Sequence, residues 1–417
     1  MKLHHLILLA NFASASLQTQ CRHDAVNPLA SSPTQSPLEI DSTTRPPFPP
    51  NIPWTHPPFC TAINNENKDD QEFCIFSSNS FNLGTGLSIL LPPETVAGLT
   101  STISNIKPHW DERVHLAKEA HNSDRPYTLI KIPGQGTGVV ATRKIKQFET
   151  IMTGFPAVII DNEFFPEDGK AGNVSDEEKE ELYDELLERI GDKERVLSLA
   201  RSRGDKVHVL EDVVRTNAFG MTLDGRKAKG LFPEIARMNH ACDPNAYAQF
   251  RSRTLSLSAV ATRDIMPGEE ITISYIPIGM STAYRHKHLS NWHFNCTCAL
   301  CSAPEQAREA SDARREHIIE LFYGMQEPST TYEDLIEMTK EFIELAQVER
   351  LITKIGEYYQ VLMKLFYEKG DPVAARKYGK AALMFGEIFS DPDGEFCEGL
   401  REDMEIVERV ISETGGQ

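Results

Sequence analysis

Positive charge is scarce in this 417-residue chain: 43 Lys and Arg stand against 61 Asp and Glu, a formal net charge of −18. That balance argues against direct nucleic-acid binding, which needs a basic face to meet the phosphate backbone. Long apolar runs are missing too, and beyond the N-terminal segment nothing reaches the roughly 20 residues of a membrane-spanning helix. Cysteine is sparse, eight in all, with none between Gly138 and Cys242. No Ser, His and Asp arrangement suited to nucleophilic catalysis stands out. What is left, 40% hydrophobic and 25% charged, is ordinary globular composition, long enough for two or three folding units.

The few cysteines are unevenly spread, and that is informative. Cys296, Cys298 and Cys301 fall within six residues. Such crowding is a poor fit to simple burial and a good fit to zinc, whose structural sites take four soft ligands in a tetrahedron. The run supplies three. Cys242 is the best fourth, because it lies in a turn-like Asp243-Pro244-Asn245 context, although His240 could serve instead. Cys60 and Cys74 are open to a disulfide if the chain enters an oxidising compartment. Cys397 reads as a thiol in a helix core.

Three islands now stand in order: Asn239-His240-Ala241-Cys242-Asp243-Pro244-Asn245, then Gly268-Glu269-Glu270-Ile271-Thr272-Ile273-Ser274-Tyr275, then the cysteine run. Upstream lies Gly134-Gln135-Gly136-Thr137-Gly138-Val139-Val140-Ala141-Thr142. Together these motifs resemble the SET-domain protein lysine methyltransferases, closest to a fungal SET and MYND-related branch, over about residues 125–303. One departure is plain. The MYND finger that many relatives insert after the glycine-rich segment has no cysteines here to build it.

The resemblance implies S-adenosyl-L-methionine as methyl donor and a protein lysine as acceptor, with histones among the candidate substrates. It implies that Gly136, Thr137, Gly138, Asn217, Asn239, His240, Tyr275 and Phe294 receive the donor, that Tyr275 is the catalytic residue, and that one structural zinc sits on Cys242, Cys296, Cys298 and Cys301. The glycines would let the backbone approach the donor closely. A dinucleotide-fold reading of the same glycines is weak, because Lys144, Lys146 and Gln147 occupy the start of what should be a packing helix. The rival to an enzyme is a catalytically inactive SET scaffold acting as an adaptor through its helical tail.

The expected fold class is α+β, a SET-type core of short strands with a helical insert and an α-helical C-terminal domain. Residues 1–20 read as a signal-like leader, with Leu6-Ile7-Leu8-Leu9-Ala10 ahead of Ala13-Ser14-Ala15. Location is therefore expected in the secretory pathway by the leader, and in the nucleus or cytoplasm by the family. Residues 21–55 are a Pro- and Ser-rich disordered linker, and 56–124 have no readable role. The SET domain is expected over 125–276, on short β-like stretches such as Leu129-Ile130-Lys131-Ile132 and the alternating Thr254–Val260.

Within it, about 161–212 is an acidic helical insert opened by a Ser175-Asp176-Glu177-Glu178 capping box, with Leu182, Leu186, Ile190 and Leu197 at helical spacing. Its carboxylates are a solvated face rather than a general acid/base pair. The zinc segment is 290–303 and the helical domain 304–417. In that domain Tyr359–Asp371 and the small residues after it resemble one tetratricopeptide unit, with Gly370 at the turn. The helical tail is a candidate site for a protein partner.

Overall fold

A computed structural model describes residues 53–63, 71–100, 103, 125–165, 174–200, 207–223, 225–292 and 294–414. The leader and nearly all of the 21–55 linker lie outside these. The fold is α+β, with three small sheets in the first two-thirds and helices from residue 305 onward.

The largest sheet runs β1 (Phe59–Ile63), β2 (Gln71–Ser78), β3 (Leu87–Leu91), β7 (Val158–Asp161), β9 (Arg226–Leu231) and β8 (Phe219–Leu223) in spatial order. The pairing β3 to β7 is parallel, Ile89 opposite Ile159, and both strands are buried throughout. Such continuous apolar runs are what a strand covered on both faces requires. The strands β1 to β3, all before residue 125, thus belong to the β core. Cys60 stands opposite Cys74 across β1 and β2, and the two are joined as a disulfide.

A second sheet orders β10 (Asn239–His240), β13 (Glu270–Ile273), β5 (Gly136–Ala141) and β4 (Tyr127–Ile132); a third holds β11 (Ala246–Arg251), β12 (Ser256–Ala261) and β6 (Thr150–Gly154). Alternation in β12 predicts one polar, solvated face. Instead Ser256 and Ser258 are buried, their hydroxyls satisfied by Thr254 Oγ1 at 2.7 Å and Thr153 Oγ1 at 3.0 Å. Hydrogen bonding to neighbours replaces water on that face.

The acidic insert forms α1 (Asp176–Glu188), α2 (Lys193–Leu197) and α3 (Val209–Asn217). Ser175 and Glu178 close the capping box at the start of α1, and Leu182, Tyr183 and Leu186 are buried. The periodicity through Leu197 does not belong to one helix. A new helix starts at Asp192, whose carboxylate caps Arg195 N–H, so Val196 and Leu199 point inward and Leu197 is only half-buried.

After α4 (Thr282–Leu289) come α5 (Glu305–Gly324), α6 (Tyr332–Val348), α7 (Ile355–Glu368), α8 (Pro372–Phe389) and α9 (Glu395–Thr414). Gly370 turns the chain between α7 and α8 at φ +82, a conformation open to glycine. Buried Ala375, Gly379 and Ala382 let α8 lie close to its neighbours. The helices dock on the β core through Phe148, whose ring meets Phe385 and Phe389 at 6.1 and 5.8 Å, and through Ser252 N–H, which donates to Asp391 Oδ2 at 2.9 Å.

Candidate active site

Strand β10 is only two residues long, yet it fixes the site. Asn239 and His240 run parallel to β13, opposite Thr272 and Ile273, and β13 pairs in turn with β5. Asn245 locks the segment that follows. Its amide donates to Glu270 O at 2.8 Å and its oxygen accepts Thr272 N–H at 2.8 Å. Being almost fully buried, it needs both bonds.

Gly138 lies beneath this pairing. A Cβ there would come within 2.9 Å of both Asn239 Nδ2 and Glu270 Oε1, atoms that already hydrogen-bond each other at 2.9 Å. Only glycine allows so close an approach. Gly136, at φ +84, borders open space, so the backbone before the strand is accessible.

Two residues beyond β13, Tyr275 N–H donates to His240 Nδ1 at 3.0 Å. The Nδ1 lone pair is thereby used, which puts the ring hydrogen on Nε2, and Nε2 lies 3.2 Å from Cys242 Sγ. Burial pushes the His240 pKa down to about 4, so the ring is neutral at ordinary pH. Both nitrogens of His240 are committed, and it supports Cys242 from behind. The Tyr275 hydroxyl donates to Met238 O at 2.9 Å. Rings gather round it: His240 at 5.4 Å and Trp292 at 6.0 Å, with Phe294 at 6.0 Å from His240.

The sulfurs of Cys242, Cys296, Cys298 and Cys301 all lie within 4.8 Å of one another. Cys242 Sγ is 3.8 Å from Cys296 Sγ and 3.5 Å from Cys301 Sγ. A tetrahedron with metal–sulfur bonds of about 2.3 Å has an edge of about 3.8 Å, so the four fit one ion. Cys242 N–H also points at Cys298 Sγ at 3.4 Å. Hydrogen bonds from Cys242, Cys296 and Cys301 hold the Cys298 thiol below its ordinary range, and those to Cys296, Cys298 and Cys301 drive Cys242 above it. So many sulfurs in so small a volume ionise together only around a cation. Trp292 and Phe294 pack on this cluster with Ile276 and Leu289.

The structure thus brings together Gly138, Asn239, His240, Tyr275, Phe294 and the four cysteines. Thr137 lies on β5 beside Gly138. Asn217 is held by a different set of contacts at the end of α3, its amide donating to Val213 O at 2.9 Å and Leu199 O at 3.2 Å. Sequence reasoning missed three participants. Met238 acts through a backbone carbonyl, which no side-chain motif reports. Glu270 was visible in the Gly-Glu-Glu run but without a stated partner. Trp292 was visible only as an aromatic residue near the cysteines.

Residues 136–276 match the SET domain family, and this part of the chain is a SET domain. Among curated relatives, the histone-lysine N-methyltransferase set5 of Schizosaccharomyces pombe is 29% identical over 194 residues, covering 46% of this chain and 56% of that protein. The histone-lysine N-methyltransferase SMYD3 of Homo sapiens is 41% identical over 78 residues, 18% of each chain. The protein-lysine N-trimethyltransferase SMYD5 of Mus musculus is 42% identical over 81 residues, 18% of this chain and 20% of that one. The chain therefore spans about half the length of the first relative and about a fifth of the others.

Proposed function

We propose that this protein is an S-adenosyl-L-methionine-dependent methyltransferase acting on protein lysine side chains. The observation that carries this reading is the Tyr275 hydroxyl, tied to Met238 O between the Asn239-His240 strand and the aromatic rings of the cysteine segment. When bound, the donor supplies an electrophilic sulfonium methyl group. Gly136, Thr137 and Gly138 would lie along it with backbone atoms, Asn239 and His240 beside them, and Phe294 over it. Asn217 has spent both amide hydrogens on carbonyls, so its oxygen is what it offers, as an acceptor for a donor ammonium.

The Tyr275 proton is committed to Met238 O, so the phenolic oxygen presents lone pairs. Those can orient an incoming amine through its N–H or stabilise positive charge on a methyl in flight. Trp292 and Phe294 offer apolar, π-rich walls suited to a lysine chain and its cation. The amine must lose a proton from a group whose ordinary pKa is about 10.4 before it attacks. Zinc on Cys242, Cys296, Cys298 and Cys301 is structural in this reading, holding the tail with Phe294 against His240. The net charge of −18 favours basic substrates by long-range attraction. Histones are the first proteins to assay, since two of the relatives are named for them.

Nothing favours the inactive adaptor over the enzyme. The test is purified protein incubated with radiolabelled donor and either histones or a proteome extract, beside Tyr275→Phe. Wild type should label protein bands, and the variant should lose about 10²- to 10³-fold of that rate while still binding donor. Equal labelling by both would overturn the assignment. The compartment is a separate proposal. The Cys60–Cys74 disulfide favours an oxidising route, as the leader does. Trimming near Ala15 of a C-terminally tagged chain would support it, and an untrimmed nuclear or cytosolic chain would overturn it.

A further inference from the structure

The turn joining α6 to α7 meets the site directly at two successive residues, Arg350 and Leu351, and indirectly at Glu349 through Arg315. These contacts fall on or just after the two segments that carry the Tyr275–Met238 hydrogen bond. Arg350 Nη1 lies 2.7 Å from Asp243 Oδ2, on the residue directly after Cys242 and five after Met238. Leu351 packs on Gly279, four residues after Tyr275: a Cβ built on that glycine would sit 3.3 Å from Leu351 Cδ1. Glu349 is buried and accepts hydrogen bonds from Arg315 Nε at 2.8 Å, Arg314 Nε at 2.6 Å and Ser311 Oγ at 2.6 Å. Arg315 in turn donates to Met280 O at 3.2 Å, and Arg285 donates to the same carbonyl at 2.6 Å.

The backbone of this turn is unusual in a way that points to the arginine side chain. Leu351 N–H donates to Ala346 O at 2.7 Å and Arg350 N–H to Gln347 O at 3.1 Å, a Schellman closure of α6. The left-handed position of that closure, ordinarily glycine, is Arg350 at φ +58. Glycine would close the helix with less backbone strain. A side chain kept where the backbone disfavours one, and aimed at Asp243, is placed for what its guanidinium does.

We propose that Arg350, supported by Glu349 and Leu351, is a positioning residue for methyl transfer. The helical domain braces Met238–Asp243 from one side and Tyr275–Met280 from the other, and so fixes the separation at which the Tyr275 hydroxyl meets Met238 O. The proposal rests on the methyltransferase reading above for its kinetic consequence, and on geometry alone for the brace itself.

Arg350→Gly tests it, because the variant removes the ion pair while easing the backbone. The melting temperature should hold or rise and the metal content should be unchanged, while kcat falls about tenfold or more through misplacement of the tyrosine. Arg350→Lys should restore most of the rate, Asp243→Asn should reproduce the loss, and the double variant Asp243→Asn with Arg350→Gly should add little to either. Hydrogen exchange at 238–243 and 275–280 reads the brace without turnover and should quicken in Arg350→Gly. Wild-type rate in Arg350→Gly, or a rate lost only in step with melting temperature, would overturn the proposal. Faster exchange in a protein that never methylates would uphold the brace and sink the enzyme.

Discussion

Gly138→Ala puts the packing of the site to a quantitative test. The added Cβ would come within 2.2 Å of Ile132 Cδ1, and within 2.9 Å of Asn239 Nδ2 and Glu270 Oε1. Ile132 is half-buried at a strand end, and its terminal methyl can swing away. The other two atoms cannot retreat so easily, since they bond to each other and sit on strands paired to one another, the second of which also pairs with β5. Overpacking of this kind costs about 1–3 kcal/mol, and stretching one hydrogen bond adds about 1 kcal/mol.

At the low end of these ranges, a total near 2 kcal/mol would lower the melting temperature by about 2–3 °C in a chain of this size. Because Asn239 is the atom displaced, donor affinity should fall about tenfold, which is about 1.4 kcal/mol. Gly134→Ala is the matched control. That residue has positive φ, at +77, which Gly138 does not, and nothing lies within 4 Å of an added Cβ. It should lose comparable stability, about 1–2 kcal/mol, from backbone strain alone and keep its donor affinity. Thermal melts and calorimetric titration with the donor decide the matter. Wild-type behaviour in Gly138→Ala, or equal affinity loss in both variants, would refute the reasoning.

Metal analysis should find one zinc per chain, and chelation should expose four thiols to a mild alkylating reagent. Cys397 should stay silent, since burial pushes its pKa up to about 11; an unchanged thiol count would count against the cluster. Acid should also act on the junction with the helical domain. Burial pushes the Glu349 pKa up, but hydrogen bonds from Ser311 and Arg315 and the nearby arginine charge outweigh it and hold the carboxyl below the usual range. The stabilisation is complete above the unfolded value of about 4.3 and disappears as pH falls through the lower folded value. Glu349→Gln should cost about 3–5 kcal/mol at pH 7 and flatten the loss of stability between pH 5 and 3. Parallel acid profiles for variant and wild type would contradict it.

Features that rest on local chemistry could be read from the chain. The capping box at Ser175 and Glu178 satisfies its own helix end, and three cysteines in six residues declare a thiolate cluster whatever the fold. Long-range pairing could not be read. Nothing in Leu87–Leu91 says that it pairs with Val158–Asp161, because a short apolar run carries no record of its neighbour. The spacing of Leu182, Leu186, Ile190 and Leu197 was a true helical period laid over two helices, since the interruption is set by the Asp192 cap. Ser256 and Ser258 lie on an alternating strand, yet that alternation does not tell that their hydroxyls meet protein partners rather than water. At the site, a side-chain motif led to Tyr275 but not to Met238, whose part is played by a carbonyl every residue possesses.

The parallel seam between β3 and β7 bears on how the protein can be cut. Fragment boundaries drawn from the family match would begin near residue 136 and discard 59–91. Val158–Asp161 would then become a frontier strand, with a bare ladder of amides and carbonyls along one side and Ile159 without its strand neighbour Ile89. Such a fragment should be recovered as aggregate, and soluble catalytic-domain preparations will have to start no later than Phe59.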